Sequence, residues 1–139
     1  MNNVYPINEV MVIDDSKIDL IINSHVVKSM NVSNSINTLT SGVEAMHELL
    51  SRKNLNQPAP QLILLDIMMP NMNGLEFLGE FSKLPESFTQ QVKIILVSSS
   101  LDKNDYDIAM KYKHVADFLN KPLTPQKLES AFIEIDIRR

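Results

Sequence analysis

Cysteine is absent from this 139-residue sequence, which excludes disulfides, thiolate nucleophiles and cysteine-ligated metal sites. An excess of basic charge is missing as well. Thirteen Lys and Arg stand against seventeen Asp and Glu, for a formal net charge of -4, so the chain carries no electrostatic footprint for nucleic acid and no such partner is expected. No apolar run approaches the roughly 18 residues of a membrane span. The first residues, Met1-Asn2-Asn3-Val4-Tyr5-Pro6, lack the cationic start and apolar stretch of a secretory signal. A cytoplasmic protein with no membrane partner is therefore expected. Internal repeats, low-complexity tracts and flexible linkers are lacking too. The length suits one domain, residues 1–139, able to bury roughly 70% of its unfolded surface in a single core. Beyond the last helical stripe only Ile137, Arg138 and Arg139 remain, so no output domain is expected within it.

Four short apolar runs punctuate the chain: Val10 to Ile13, Leu62 to Leu65, Ile94 to Val97, and the weaker Val115 to Leu119. Continuous apolar character without alternation suits strands buried on both faces, as in a parallel sheet covered by helices. A fifth, weaker strand is placed near Ser35 to Leu39. Between the runs the period changes to three and four. Ile18, Ile21, Ile22, Val26 and Met30 form one stripe, which predicts a helix from Lys17 to about Met30. Comparable stripes run through Val43, Met46, Leu49 and Leu50, through Leu75, Leu78 and Phe81, through Ile108, Ala109 and Tyr112, and through Leu128, Phe132 and Ile135. Leu84 to Gln91 reads as a long connection. Five strands alternating with five helices predict an α/β fold, a doubly wound five-stranded parallel sheet whose sites open at the carboxyl ends of the strands.

The residues at those ends carry the chemistry. The first run ends in Asp14-Asp15, the central one in Asp66 and the next in Ser98-Ser99-Ser100, while the last is followed by Asn120-Lys121-Pro122. Three carboxylates, a hydroxyl and an ammonium would share one cleft. The carboxylates repel one another and call for a cation, and oxygen ligands without His or Cys favour Mg²⁺, with Mn²⁺ as the alternative, over Zn²⁺. A carboxylate can attack phosphorus, and phosphoryl transfer depends mainly on positioning and on stabilising the equatorial oxygens. Asp66 is the natural nucleophile, Asp14 and Asp15 hold the metal, Ser98 donates a hydrogen bond, and Lys121 supplies fixed positive charge.

Taken in order, Val12-Ile13-Asp14-Asp15-Ser16, Leu64-Leu65-Asp66-Ile67-Met68-Met69-Pro70-Asn71-Met72-Asn73-Gly74-Leu75, Leu96-Val97-Ser98-Ser99 and Asp117-Phe118-Leu119-Asn120-Lys121-Pro122 resemble a response-regulator receiver domain of two-component signalling, similar to the single-domain chemotaxis regulators. The likeness runs from about Val10 to the last helix. It implies a flavodoxin-like fold of strand order 2-1-3-4-5, and a signalling phosphoacceptor that catalyses only its own phosphorylation and dephosphorylation. The donor would be a sensor histidine kinase or histidine phosphotransfer protein, and the output a contact with a downstream protein. It further implies that Asp66 is phosphorylated, that the metal ligands are Asp14, Asp15, Asp66 and the backbone carbonyl of Met68, and that Ser98 and Lys121 contact phosphoryl oxygens. Lys121-Pro122 would be a cis peptide. Ser98 and Phe118 would form the switch, moving inward together and biasing the packing of the helix around Ile108, the last strand and the last helix. Three features depart from the common pattern. Phe118 lacks the frequent tyrosine hydroxyl, Lys113-His114-Val115-Ala116 replaces a Gly-Ala pair, and the Leu84 to Gln91 connection is long.

Singly, these residues say little. Asp14-Asp15 or Ser16 could cap a helix, Asp66 and Ser98 could begin polar loops, and Lys121 could precede a turn. Their joint order carries the reading. His25, His47 and His114 are scattered and read as surface or half-buried side chains, and Gly74 reads as a turn or helix-start residue. A phosphate-ester hydrolase working through an aspartyl phosphate would need an acid where Met68 stands. A receiver-like interaction module independent of phosphate would have no need of the full residue set.

Overall fold

A computed structural model describes residues 6–99 and 102–135. Ser100, the start of the chain and the last residues, Ile137, Arg138 and Arg139 among them, lie outside the described residues. The apolar runs form β1 (Val10–Ile13), β2 (Ile36–Leu39), β3 (Leu62–Leu65), β4 (Lys93–Ser98) and β5 (Val115–Asn120). All pair in parallel, in the order β2-β1-β3-β4-β5. The helices are α1 (Lys17–Ser29), α2 (Gly42–Asn54), α3 (Gly74–Phe81), α4 (Glu86–Thr89), α5 (Lys103–Ala109) and α6 (Pro125–Glu134). This is the expected doubly wound sheet, with one short helix more than the sequence showed.

Each apolar run serves two cores at once, which is why it does not alternate with polar residues. Met11, Ile13, Ile63, Leu65, Ile94 and Leu96 pack with side chains of α2, α3 and α5, among them Leu49, Phe77, Phe81 and Ala109. Val10, Val12, Leu62, Leu64, Ile95 and Val97 pack on the other face with Leu20 and Val27 of α1 and Leu128 and Phe132 of α6. Between β4 and β5 the register shifts. Ile94 pairs with Val115 but Ile95 with Asp117, so Ala116 is an extra residue. Side-chain direction in a strand has a period of two, so this bulge decides that Phe118 meets the first core and Leu119 the second.

Three expectations are corrected. The apolar stripe of α1 was placed on Ile18, Ile21, Ile22, Val26 and Met30, yet Ile18 and Ile21 are 71% and 69% exposed, and the buried face is Leu20, Asn23, Val26 and Val27 with Met30 beyond. α1 carries apolar residues on most of its circumference, so their period alone does not choose the inward face. Likewise Val43 and Leu50 of α2 are exposed, while Ala45 joins Met46 and Leu49 inside. The connection after Leu84 is not plain loop. Pro85 opens α4, which buries Thr89 and packs Phe88 against the first core.

Candidate functional site

Strand register sets the height of each site residue. The Asp14 backbone N–H donates to Leu39 O at 3.1 Å and that of Asp66 to Ile13 O at 3.0 Å, so Asp14 and Asp66 leave adjacent strands at one level. Both are buried, whereas Asp15, next along the chain, is exposed. Ser98, also buried, ends β4 one residue beyond that level. Its carbonyl accepts from the Lys121 N–H at 3.0 Å, which fixes where Lys121 leaves β5. The Lys121-Pro122 peptide is cis. Helix α1 starts from this edge. Ser16 is its N-cap, with Oγ accepting from the Asp19 N–H at 3.3 Å, and Asp14 Oδ1 accepts from the Ser16 N–H at 2.9 Å. Capping therefore falls to Ser16, and both members of the acidic pair stay available to the cleft.

Charge in the cleft is arranged around one ammonium. Lys121 Nζ lies 2.8 Å from Asp14 Oδ2, 2.8 Å from Asp19 Oδ2 and 3.5 Å from Asp66 Oδ2. Burial works against the charge on Lys121, but the close carboxylates of Asp14 and Asp19 outweigh it and hold the ammonium above its ordinary value. Burial, and after it the charge of Asp14, push the Asp66 carboxyl up to about 6. Lys121 and a long 3.4 Å hydrogen bond from the Met68 N–H to Asp66 Oδ1 offset part of that rise.

One oxygen each from Asp14, Asp15 and Asp66 lies within 4.8 Å of the others. In an octahedral shell of about 2.1 Å radius, adjacent oxygens are about 3 Å apart and opposed ones about 4.2 Å. Small side-chain movements therefore suffice to converge on one cation. Asp14 Oδ2 is buried without a well-directed hydrogen bond, and its 2.8 Å contact with Lys121 is an ion pair. Such an oxygen, in a set of hard donors with no nitrogen or sulfur, fits a divalent Mg²⁺ or Mn²⁺ ion.

The other sequence candidates fall around this centre. Met68 follows Asp66 by two residues and turns its side chain to solvent, so only its backbone faces inward by way of the N–H already described. Phe118 is half-buried and packed against the first core, with its N–H donating to Asp117 Oδ1 at 2.7 Å. None of the histidines belongs to the cluster. His25 and His47 are exposed, and His114 sits edge-on to Phe81 with Nδ1 3.1 Å from Val92 O. Two residues were not anticipated in the roles they take. Asp19 reads in sequence as an ordinary first-turn acid, and its partner lies 102 positions away. Gly74 was read as a turn or helix-start residue. It does begin α3, after the Asn73–Glu76 capping box, but a Cβ there would stand 2.6 Å from Asp66 O and 2.8 Å from Ile67 Cα. The signal for that close approach was a glycine eight residues after Asp66, at the start of a helix.

Comparison with known proteins agrees with this geometry. Residues 10–133 match the family model described as the response regulator receiver domain. The chain is 29% identical over 118 residues to response regulator Rcp1 of Synechocystis sp., covering 84% of this chain and 78% of Rcp1. It is 29% identical over 131 residues to the probable C4-dicarboxylate response regulator DctR of Halalkalibacterium halodurans, covering 94% of this chain but spanning only 52% of DctR. Among solved structures it is similar to a two-component response regulator from Cytophaga hutchinsonii, with TM-score 0.83, 28% identity, and 95% and 98% of the two chains covered. A response regulator receiver protein from Dyadobacter fermentans gives TM-score 0.76 and 28% identity over 89% and 94% of the chains.

Proposed function

The chain belongs to the response regulator receiver domain family, and from that premise we propose that Asp66 is its phosphoacceptor, charged from a histidine-bound phosphoryl group in a Mg²⁺-dependent transfer. Receiver domains are signalling phosphoacceptors of two-component systems that act between histidine kinases or phosphotransfer proteins and downstream targets. The observation that carries the assignment is the buried Asp66 carboxylate, flanked by Asp14 and Asp15 and faced by Lys121.

In this reading an Asp66 oxygen attacks phosphorus in line with the donor nitrogen. The new O–P bond forms as the P–N bond breaks, and the electron pair returns to the imidazole nitrogen, which takes up a proton. Asp14, Asp15, Asp66 and the Met68 carbonyl would hold the cation. When bound, it supplies positive charge to the carboxylates and phosphoryl oxygens, which otherwise repel. Mn²⁺ would serve in the same oxygen set. Lys121 and the Ser98 hydroxyl contact the equatorial oxygens. Drawing Ser98 toward the phosphoryl group leaves room for Phe118 to turn inward, and the resulting repacking of α5, β5 and α6 alters a surface read by a downstream protein. Hydrolysis of the aspartyl phosphate in the same cleft resets the domain, so its only chemistry is on itself.

The test is incubation with acetyl phosphate and Mg²⁺, followed by intact mass measurement. Wild type gains one phosphoryl group, Asp66→Asn gains none, and a chelator stops labelling. Equal labelling of Asp66→Asn would contradict the assignment.

A further inference from the structure

We propose that Asp19 is a positioning residue that holds Lys121 in reserve, so that its grip on the ammonium sets how fast Asp66 is phosphorylated. The inference rests on the phosphoacceptor reading of Asp66. Lys121 Nζ is 2.8 Å from both Asp14 Oδ2 and Asp19 Oδ2, but 3.5 Å from Asp66 Oδ2. The lysine therefore rests on its neighbours rather than on the group that accepts phosphate. An ammonium has three N–H donors, and one is committed to Asp19 in a direct hydrogen bond. A second faces Asp14, so an incoming phosphoryl group competes with both carboxylates for the ammonium, and the Asp19 contact holds it back from Asp66.

The two carboxylates holding Lys121 differ in what a cation does to them. Asp14 belongs to the acidic cluster with Asp15 and Asp66, and a divalent ion there weakens its pull on Lys121. Asp19 lies outside that cluster, across the lysine on the first turn of α1, so it is not a ligand of an ion held there. It remains the competitor for Lys121 at the moment of transfer. Its side chain is 31% exposed and that of Lys121 14%, which makes the pair sheltered enough to matter and open enough to exchange.

A plain alternative is that Asp19 only stabilises the N-terminus of α1, where an acid at the third helical position is favourable. Initial rates of labelling by acetyl phosphate with saturating Mg²⁺ separate the two. Asp19→Asn is expected to label about three- to tenfold faster than wild type, the scale of a partly sheltered ion pair. Asp19→Ser, which suits an exposed helix start, should do the same, and Asp19→Glu should return the rate toward wild type. The gain should vanish when Lys121→Gln is already present, since the effect passes through the lysine. Melting temperatures by circular dichroism confirm that each variant is folded. An unchanged or slower rate in both neutral variants, with or without a lower melting temperature, overturns the inference, as does a gain that persists with Lys121→Gln. If wild type takes no phosphate at all, the phosphoacceptor reading falls and this inference with it. If wild type labels on Asp66 and the neutral variants label no faster, only this inference falls.

Discussion

Removing the Asp66 carboxyl from water beside Asp14 raises its pKa from 3.8 to about 6, so the folded protein holds a proton more tightly there than the unfolded chain does. The sign of the effect on stability follows directly. Between pH 3.8 and 6 the folded state binds more protons, and stability falls as pH rises through that window. Above it, the ionised carboxylate costs the metal-free fold about 1 to 3 kcal/mol. An amide at this position carries no such penalty. In the presence of a chelator, Asp66→Asn is expected to melt several degrees above wild type at pH 7.5, and the gap should close near pH 4. Thermal unfolding across that range checks it, and equal melting temperatures at pH 7.5 would show that Lys121 already compensates the charge.

Among the elements, α3 is tied closely to the loop that carries Asp66. The Gly74 N–H donates to Ile67 O at 2.8 Å, and the absent Cβ leaves room for the Asp66 carbonyl, which it would otherwise approach to 2.6 Å. Gly74→Ala must push α3 outward or move the loop that carries Asp66. A cost of about 1 to 3 kcal/mol is expected, read by urea unfolding, together with slower labelling by acetyl phosphate on the same sample. Element by element, the strands were legible because their determinants are local, as with the Leu62 to Leu65 run, and so was Ser16 as a cap candidate before α1. The inward face of α1 was not. Ile18, Leu20, Ile21, Ile22, Val26 and Val27 leave several stripes open, and the choice of Leu20 and Val27 is made by packing against β1 and α6. The four-residue α4 was hidden for a related reason: it is too short to show a period.

At the scale of the whole molecule, parallel topology is what made the cleft readable. It brings the carboxyl ends of β1, β3, β4 and β5 side by side along one edge of the sheet, so Asp14, Asp66, Ser98 and Lys121 could be grouped without coordinates. Asp19 escaped because it sits inside a helix, where its direction depends on how that helix docks. The same topology separates two charged centres. At the opposite edge of the sheet, Arg52 makes a two-pronged contact with Glu9 at 2.6 and 2.8 Å and reaches Glu48 at 2.7 Å, tying the end of α2 to the chain just before β1. Glu9 and Asp14 lie five strand steps apart, about 16 Å, beyond the range at which effects on stability normally couple. Arg52→Met leaves both glutamates without their partner and should cost about 1 to 3 kcal/mol. The proposed Mg²⁺ site lies at the other edge, and the ion should raise the melting temperature, with stabilisation reaching about 2.7 kcal/mol at a hundredfold excess over its dissociation constant. Because the centres are far apart, the Mg²⁺ increment should be the same in Arg52→Met as in wild type, and lost in Asp14→Ala. A smaller increment in Arg52→Met would mean that the two edges communicate through β1, and an increment that survives Asp14→Ala would place the cation elsewhere.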